Sequence, residues 1–302
     1  MNKLKSSLSK WIEHLIKREL YGNGTKEQVV ELLNEVYEKI LKEMRKSPYI
    51  STKTEYQKIL KHIEEILAEY STVYKSILRT QITDISNIES EWLQGFMKAL
   101  GKDFIIPATL ISTLRFSPVA TATNYKQLVD TSVNRIKTNV DNALRTAYIM
   151  KEDTTNNTER LSRKVEKEVS NVMTEVEAFN TTAFSMTDYL MFRANKEKVR
   201  YTAILDNLTC IACGDMDGQI FNINEAPILP LHYNCRCSLI PMELDKVPSY
   251  SDWFEEQTDE VKRQILGKTR FELYKEQALQ ITNFVNNGEI IPLKDLKIDS
   301  LL

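Results

Sequence analysis

The residues best suited to chemistry are the four cysteines, which all fall within one short segment of the 302-residue chain. Cys210-Ile-Ala-Cys213-Gly214 sets two thiolates at a spacing that can grip one tetrahedral ion. The glycine that follows permits a backbone turn aiming amide hydrogens at the sulfurs. Downstream, His232-Tyr-Asn-Cys235-Arg-Cys237 adds three more donors, so five candidates face the four positions of a tetrahedral site. Cys210, Cys213, Cys235 and Cys237 are the preferred set, and three cysteines with His232 are the alternative. A structural Zn2+ is the expected cofactor. The competing reading is a disulfide or inert buried thiols, against which the clustering and the rarity of cytosolic disulfides both weigh.

Catalytic zinc keeps three protein ligands, an open position and an acid/base partner, whereas thiolate-rich sites are closed and structural. Zinc deaminases place a His-x-Glu ahead of Pro-Cys-x-x-Cys, and here Cys-x-x-Cys comes first with no such pair. The chain is therefore expected not to be an enzyme. Asp206, Asp215 and Asp217 suit turns and caps better than an acid/base set, and Arg236 is expected to bond a local carboxylate or carbonyl. Asp217-Gly218 reads as a turn leading into strand-like Gln219, Ile220 and Phe221, giving a small hairpin stapled by zinc.

The elements that must hold this cluster are mostly helical. Trp11, Ile12, Leu15, Ile16 and Leu20 mark an amphipathic helix, and Thr25 with Gln28 forms a capping box that opens another over Val29 to Leu41. A further helix is expected from Thr54 through Ile77. Asp103 to Pro118, with two prolines, reads as a loop or hinge. Glycine and proline are then absent from Val119 to Cys213, which predicts long helices. One runs over Leu128 to Tyr148. A second follows a polar break at Asp153 to Thr158 and covers Leu161 to Phe179, and a third crosses Tyr189, Phe192 and Val199. From Asp206 glycine and proline return, and the segment needs a staple to fold. After Pro248, Thr258 caps a helix ended by Gly267. Thr269 opens another over Phe271 to Val285, closed by Asn286, Asn287 and Gly288, and Ile290 to Leu302 form a short tail.

The expected fold class is mainly α: an elongated helical body, a small irregular zinc-stapled β-hairpin module and C-terminal helices. The corresponding divisions are 1–118, an N-terminal helical region; 119–200, a long-helix region; 201–245, the zinc-knuckle module; and 246–302, a C-terminal helical tail.

A hydrophobic share of 42% is enough for a core, and a net charge of -2 lacks the basic excess of a dedicated duplex-DNA binder. No uncharged apolar run approaches the roughly 20 residues needed to span a bilayer, so a soluble protein made in a reducing cytoplasm is expected, with no membrane partner. Arg160, Arg163, Lys164, Lys167, Arg193, Lys196, Lys198 and Arg200 are interleaved with Glu159, Glu166, Glu168 and Glu197. This pattern reads as a solvated face laced with ion pairs. Gly267-Lys268-Thr269 lacks the earlier glycine and the preceding strand of a phosphate loop and reads as a helix break. His14 and His62, far from any second ligand, read as surface or half-buried.

Three motifs in order carry a resemblance: Ala203-Ile-Leu-Asp206-Asn-Leu-Thr209-Cys210-Ile-Ala-Cys213, then Asp217-Gly218-Gln-Ile-Phe221, then Pro230-Leu-His232-Tyr-Asn-Cys235-Arg-Cys237. Together they closely resemble the signature of the phage Mu F-like / SPP1-type minor head protein family. Gln264-Ile-Leu-Gly267-Lys-Thr-Arg270 and Pro292-Leu-Lys-Asp-Leu296 are similar to that family's C-terminal pattern. Tyr233 departs from it, standing where the family commonly has proline. The resemblance covers about the last third of the chain.

It implies a minor head morphogenesis protein of a tailed bacteriophage, present in few copies in the head interior at the portal vertex and in host cytoplasm during assembly. The role implied is in capsid assembly or DNA delivery. The implied partner is the phage portal protein, docked through 1–118, with scaffold or major capsid protein as further partners and DNA contact weak or incidental. Two other classes compete. A toxin-like or host-modifying effector carrying this module would need a second globular region with its own nucleophile, paired carboxylates or nucleotide loop. A zinc-containing DNA-binding protein would need a basic helix after the knuckle.

Overall fold

A computed structural model describes residues 2–119, 122, 124–232, 234–242, 244, 250–276, 279–286 and 289–296. Tyr233, Pro248, the Asn287-Gly288 pair and the tail beyond Leu296 lie outside the described residues. The architecture is mainly helical with a small antiparallel sheet. The chain forms two compact units: His14–Thr187 with His232–Asn234, and Met1–Glu13 with Asp188–Leu231 and Cys235–Leu302.

The first helix, α1 (Asn2–Arg45), runs unbroken through Gly22, Gly24 and Thr25, so the expected capping box at Thr25 does not start a new helix. The reason is tertiary. The Asn180 amide donates to the Gly22 carbonyl at 3.1 Å, and a Cβ at Gly22 would lie 3.1 Å from that same nitrogen. Asn180 in turn accepts from Gln81 at 3.3 Å. Packing thus overrides the weak helix propensity of two glycines, each worth only about 1 kcal/mol against alanine.

Helix α2 (Lys53–Ala99) opens one residue before the expected Thr54. Thr52 accepts from the Glu55 amide at 3.2 Å, and the Glu55 carboxylate accepts from the Thr52 and Ser51 amides, each at 2.9 Å. This is a reciprocal capping box that satisfies the first orphan donors. Asp103 to Pro118 is not loop throughout, because it includes the short helix α3 (Leu110–Leu114), whose Leu110 and Leu114 are buried. Helix α4 (Tyr125–Met150) is capped by Asn124, which accepts from the amides of Lys126 and Gln127. Its buried residues Leu128, Val129, Ile136, Val140, Leu144 and Ala147 keep the expected stripe. They pack on α2, which buries Ile59, Ile63, Leu67, Tyr70, Tyr74 and Leu78 at the same helical spacing.

Helix α5 (Thr154–Ala194) takes in most of the expected polar break and joins what read as two helices. Glu168 is not on a solvated face: it is buried and binds Arg135 at 2.8 Å and Ser132 at 3.2 Å, while Glu175 also takes the Arg135 guanidinium at 2.7 Å. Arg163, Lys164 and Lys167 are exposed as expected, and Arg160 pairs with Glu152 at 3.0 Å.

Val199 belongs to a strand, β1 (Lys198–Thr202), instead of the expected helix. Val199 and Tyr201 are buried and their neighbours are less so, the period-2 pattern of a strand. After the short helix α6 (Ile211–Met216), β2 (Ile220–Asn222) and β3 (Ser238–Pro241) flank β1 in the order β2-β1-β3, both antiparallel. The hairpin expected after Asp217-Gly218 is therefore a three-stranded sheet, because β1 offers hydrogen-bonding groups on both edges. Gly218, at φ 79°, makes the turn, and its amide donates to the Tyr201 carbonyl at 2.9 Å.

Beyond the sheet lie α7 (Tyr250–Glu255) and α8 (Asp259–Lys275). Thr258 caps α8 as expected, and Gly267, at φ 73°, breaks its helical course. The helix expected to reach Val285 stops at Lys275. Ile281–Phe284 form a 3-10 turn, and β4 (Val285–Asn286) pairs with β5 (Glu289–Ile290). Ile211, Tyr250, Phe254, Leu266, Phe271, Leu279, Ile281 and Phe284 make one apolar cluster, so the residues around the cysteines share a core with the C-terminal elements.

Candidate metal centre

Cys210 occupies the N-cap of α6, and its sulfur accepts from the Cys213 amide at 3.5 Å. The Cys-x-x-Cys spacing therefore becomes one turn of helix in which a sulfur takes the place of the usual capping oxygen. Cys213 is buried on that turn, while Cys235 and Cys237 are buried on the approach to β3. All four are free thiols, and the Cys213 and Cys235 sulfurs stand 4.0 Å apart, well beyond bonding distance.

Two groups of donors lie within 4.8 Å of one another and could hold a metal ion: Cys213 with Cys235 and Cys237, and Cys210 with Cys213 and His232. Cys213 is common to both. His232, in the loop just before Cys235, is exposed.

The electrostatics of the thiols are those of a set of soft donors competing for protons. Hydrogen bonds with Cys213 and Cys237 draw the Cys235 thiol below its ordinary range. The Cys213 thiol is pushed far up, chiefly by its hydrogen bonds with Cys210, Cys235 and Cys237 and then by burial. Among the buried sulfurs, one thiolate is therefore stabilised at the expense of its neighbours, and a bound cation would relieve that competition for all of them.

The shell around the thiols is only partly legible in the sequence. Arg236 holds Asp206 in a two-pronged ion pair, both contacts 2.6 Å, and this keeps the Asp206 carboxyl below its usual range. Asp206 also accepts from the Leu208 amide at 2.9 Å, so the expected local role of both residues holds. Asp217 accepts from the amides of Ala203 at 2.8 Å and Tyr250 at 3.1 Å, tying the end of α6 to β1 and α7. Burial nonetheless pushes its carboxyl up.

Sequence reasoning missed Tyr250 and Tyr201. The Tyr250 hydroxyl donates to the Thr209 carbonyl at 3.2 Å, and its ring lies over Gly214, where an added Cβ would come within 2.1 Å of ring carbons. Gly214 has no positive φ; its role is to admit this ring, not to turn the chain. We expect Gly214→Ala to lower stability by about 3 kcal/mol, as overpacking of a filled core does, measured by urea unfolding. A midpoint equal to wild type would show that α7 can withdraw freely. No sequence signal points to Tyr250. For Tyr201, the alternation Val199-Arg-Tyr201 is the local signal of a strand.

His14 lies elsewhere and is buried, not at the surface: its ring stacks on Trp92 with centroids 3.5 Å apart and bonds Glu89 at 2.9 Å. His62 is the half-exposed residue expected, bonded to Glu43 at 2.9 Å.

Among the described residues, no helix is long and apolar enough to cross a membrane. No curated protein and no solved structure matches the chain. Residues 122–240 match a family model described as Phage Mu protein F like protein, and that stretch contains α4, α5, the three-stranded sheet but for Pro241, and every thiol of the cluster. Over residues 122–240, the chain is similar to the Phage Mu protein F like family.

Proposed function

We propose that this chain is a minor structural protein of a tailed-bacteriophage head, built in few copies at the portal vertex, where it aids capsid assembly or DNA delivery. The observation that carries this reading is the Phage Mu F-like match over 122–240, which contains the whole thiol cluster. The virion is its place and the phage portal protein its partner, with scaffold or major capsid protein as further neighbours and DNA contact incidental. Residues 201–245 form the head-morphogenesis module.

The cluster holds a structural Zn2+ through Cys210, Cys213, Cys235 and Cys237, with His232 as the alternative donor. A tetrahedral ion with Zn–S bonds of about 2.3 Å needs sulfurs roughly 3.8 Å apart, and Cys213 and Cys235 stand at 4.0 Å. When bound, the ion supplies cross-linking of the two motif halves, and a closed thiolate shell leaves no position for substrate. That chemistry favours a structural role over an enzymatic one.

Long helices with exposed apolar residues suit docking on a helical partner. Ile16 and Leu20, one turn apart on α1, are examples, at 56% and 65% exposure. Purified protein mixed with its cognate portal should co-migrate with it on size exclusion. Separate elution at micromolar concentration of both would refute the portal assignment.

A further inference from the structure

We infer that Tyr201 is a positioning residue of the metal centre, its hydroxyl donating a hydrogen bond to a metal-bound thiolate of Cys213 or Cys237. The inference rests on the zinc reading above and adds to it a residue outside the cysteine and histidine motifs.

Tyr201 sits on β1, the central strand, and its side chain is completely buried. Its backbone is fixed on both edges: the amide donates to Gln219 at 2.9 Å on one side, and Leu239 of β3 is its partner on the other. A phenol so placed cannot swing out to water. Yet its hydroxyl has no hydrogen-bond partner of good geometry, which is costly for a buried donor. Its cross-strand partner is Leu239, and Cys237, two residues before Leu239, falls on the same face by strand alternation, with the Cys213 sulfur within 4.8 Å of the Cys237 sulfur. A neutral thiol is a poor acceptor, whereas a thiolate is a good one. Metal binding turns these thiols into thiolates, so it creates the acceptor that the hydroxyl lacks.

Such a bond would do two things. It would draw electron density from the sulfur, as hydrogen bonds around metal ligands do. It would also fix the sulfur's position against a strand whose register is already set, so that the ion is gripped by the sheet as well as by the knuckle.

The experiment uses the full chain, reduced and loaded with Co2+ in place of zinc, comparing wild type with Tyr201→Phe and with Leu239→Ala. The last removes packing across the strand but keeps the hydroxyl. We expect the wild type to show thiolate-to-cobalt charge-transfer bands. Tyr201→Phe should shift those bands to lower energy and weaken metal affinity by about tenfold or more, while its circular dichroism stays that of the wild type. Leu239→Ala should leave the band energy unchanged. If Tyr201→Phe matches wild type in both band energy and affinity, or if Leu239→Ala produces the same shift, the inference is overturned while the metal reading stands. If wild type itself gives no thiolate band, the metal reading fails, and the role of Tyr201 falls with it.

Discussion

Replacing Cys210 and Cys213 together by serine should abolish stoichiometric zinc and unfold the region around the cluster. Cys213 belongs to both donor groups and Cys210 to one of them, so no set of four donors survives the change. The segment they anchor has little else to hold it: α6 is six residues long and β2 three. Structural zinc in small modules contributes apparent binding energies of about 10–16 kcal/mol. Since α6 also shares an apolar cluster with the C-terminal elements, part of the module should persist without the ion. The expected loss is therefore smaller, at least about 4 kcal/mol, which lowers the melting midpoint by roughly 10 °C. A strong chelator should reproduce the effect in wild type and do nothing further to the variant. The measurements are elemental analysis of reduced, freshly purified protein and melting followed by circular dichroism. Absence of zinc from the wild type, with an unaltered melt in the variant, would dispose of the metal centre.

Glu89→Ala should be comparably damaging. Glu89 is completely buried on α2, bonded to the His14 ring at 2.9 and 3.0 Å and to the Arg18 guanidinium through Nε at 2.9 Å and a second close contact. Arg18 is itself nearly buried and lies over the Phe184 ring. Removing the carboxylate takes away the charge that faces a buried guanidinium, and loss of one partner of a buried pair costs about 3–5 kcal/mol. The double replacement Arg18→Leu with Glu89→Ala removes both charges and should recover part of that loss. The difference between the double variant and the sum of the single ones then isolates the pair. Urea midpoints for the four proteins give the answer, and a Glu89→Ala midpoint within about 1 kcal/mol of wild type would mean that water reaches this site.

Much of the helical content was legible because helices announce themselves locally. The stripe on α4 and the Thr258 cap follow from residues within a few positions of one another, and the start of α2 lay one residue from its expected place. The thiol cluster was legible for a related reason, since the ligand types and their spacing are short-range properties.

What the sequence hid was whatever depends on residues distant in the chain. Thr25 with Gln28 satisfies every local rule for a helix start, yet Asn180, far along the chain, supports the Gly22 carbonyl and α1 runs through. Glu168 reads as part of a solvated face and His14 as surface or half-buried, yet both are buried, Glu168 against Arg135 and Ser132 and His14 against Glu89. Val199 looked helical until β2 and β3 supplied ladder partners on both edges.

The sequence by itself determined that this protein is mainly helical, that its four thiols fall in one short segment, and that residues 203–237 carry a pattern resembling a phage head-protein family. Only the tertiary structure decided that Tyr250 rather than a turn requires Gly214, that a three-stranded sheet adjoins the thiol segment, and that Tyr201 is buried on its central strand with a hydroxyl that lacks a hydrogen-bond partner. Local spacing fixes which groups can act together on one turn or one loop. Burial and cross-strand pairing are set by the rest of the chain, and they decide which of those groups keep water and which must find a partner inside.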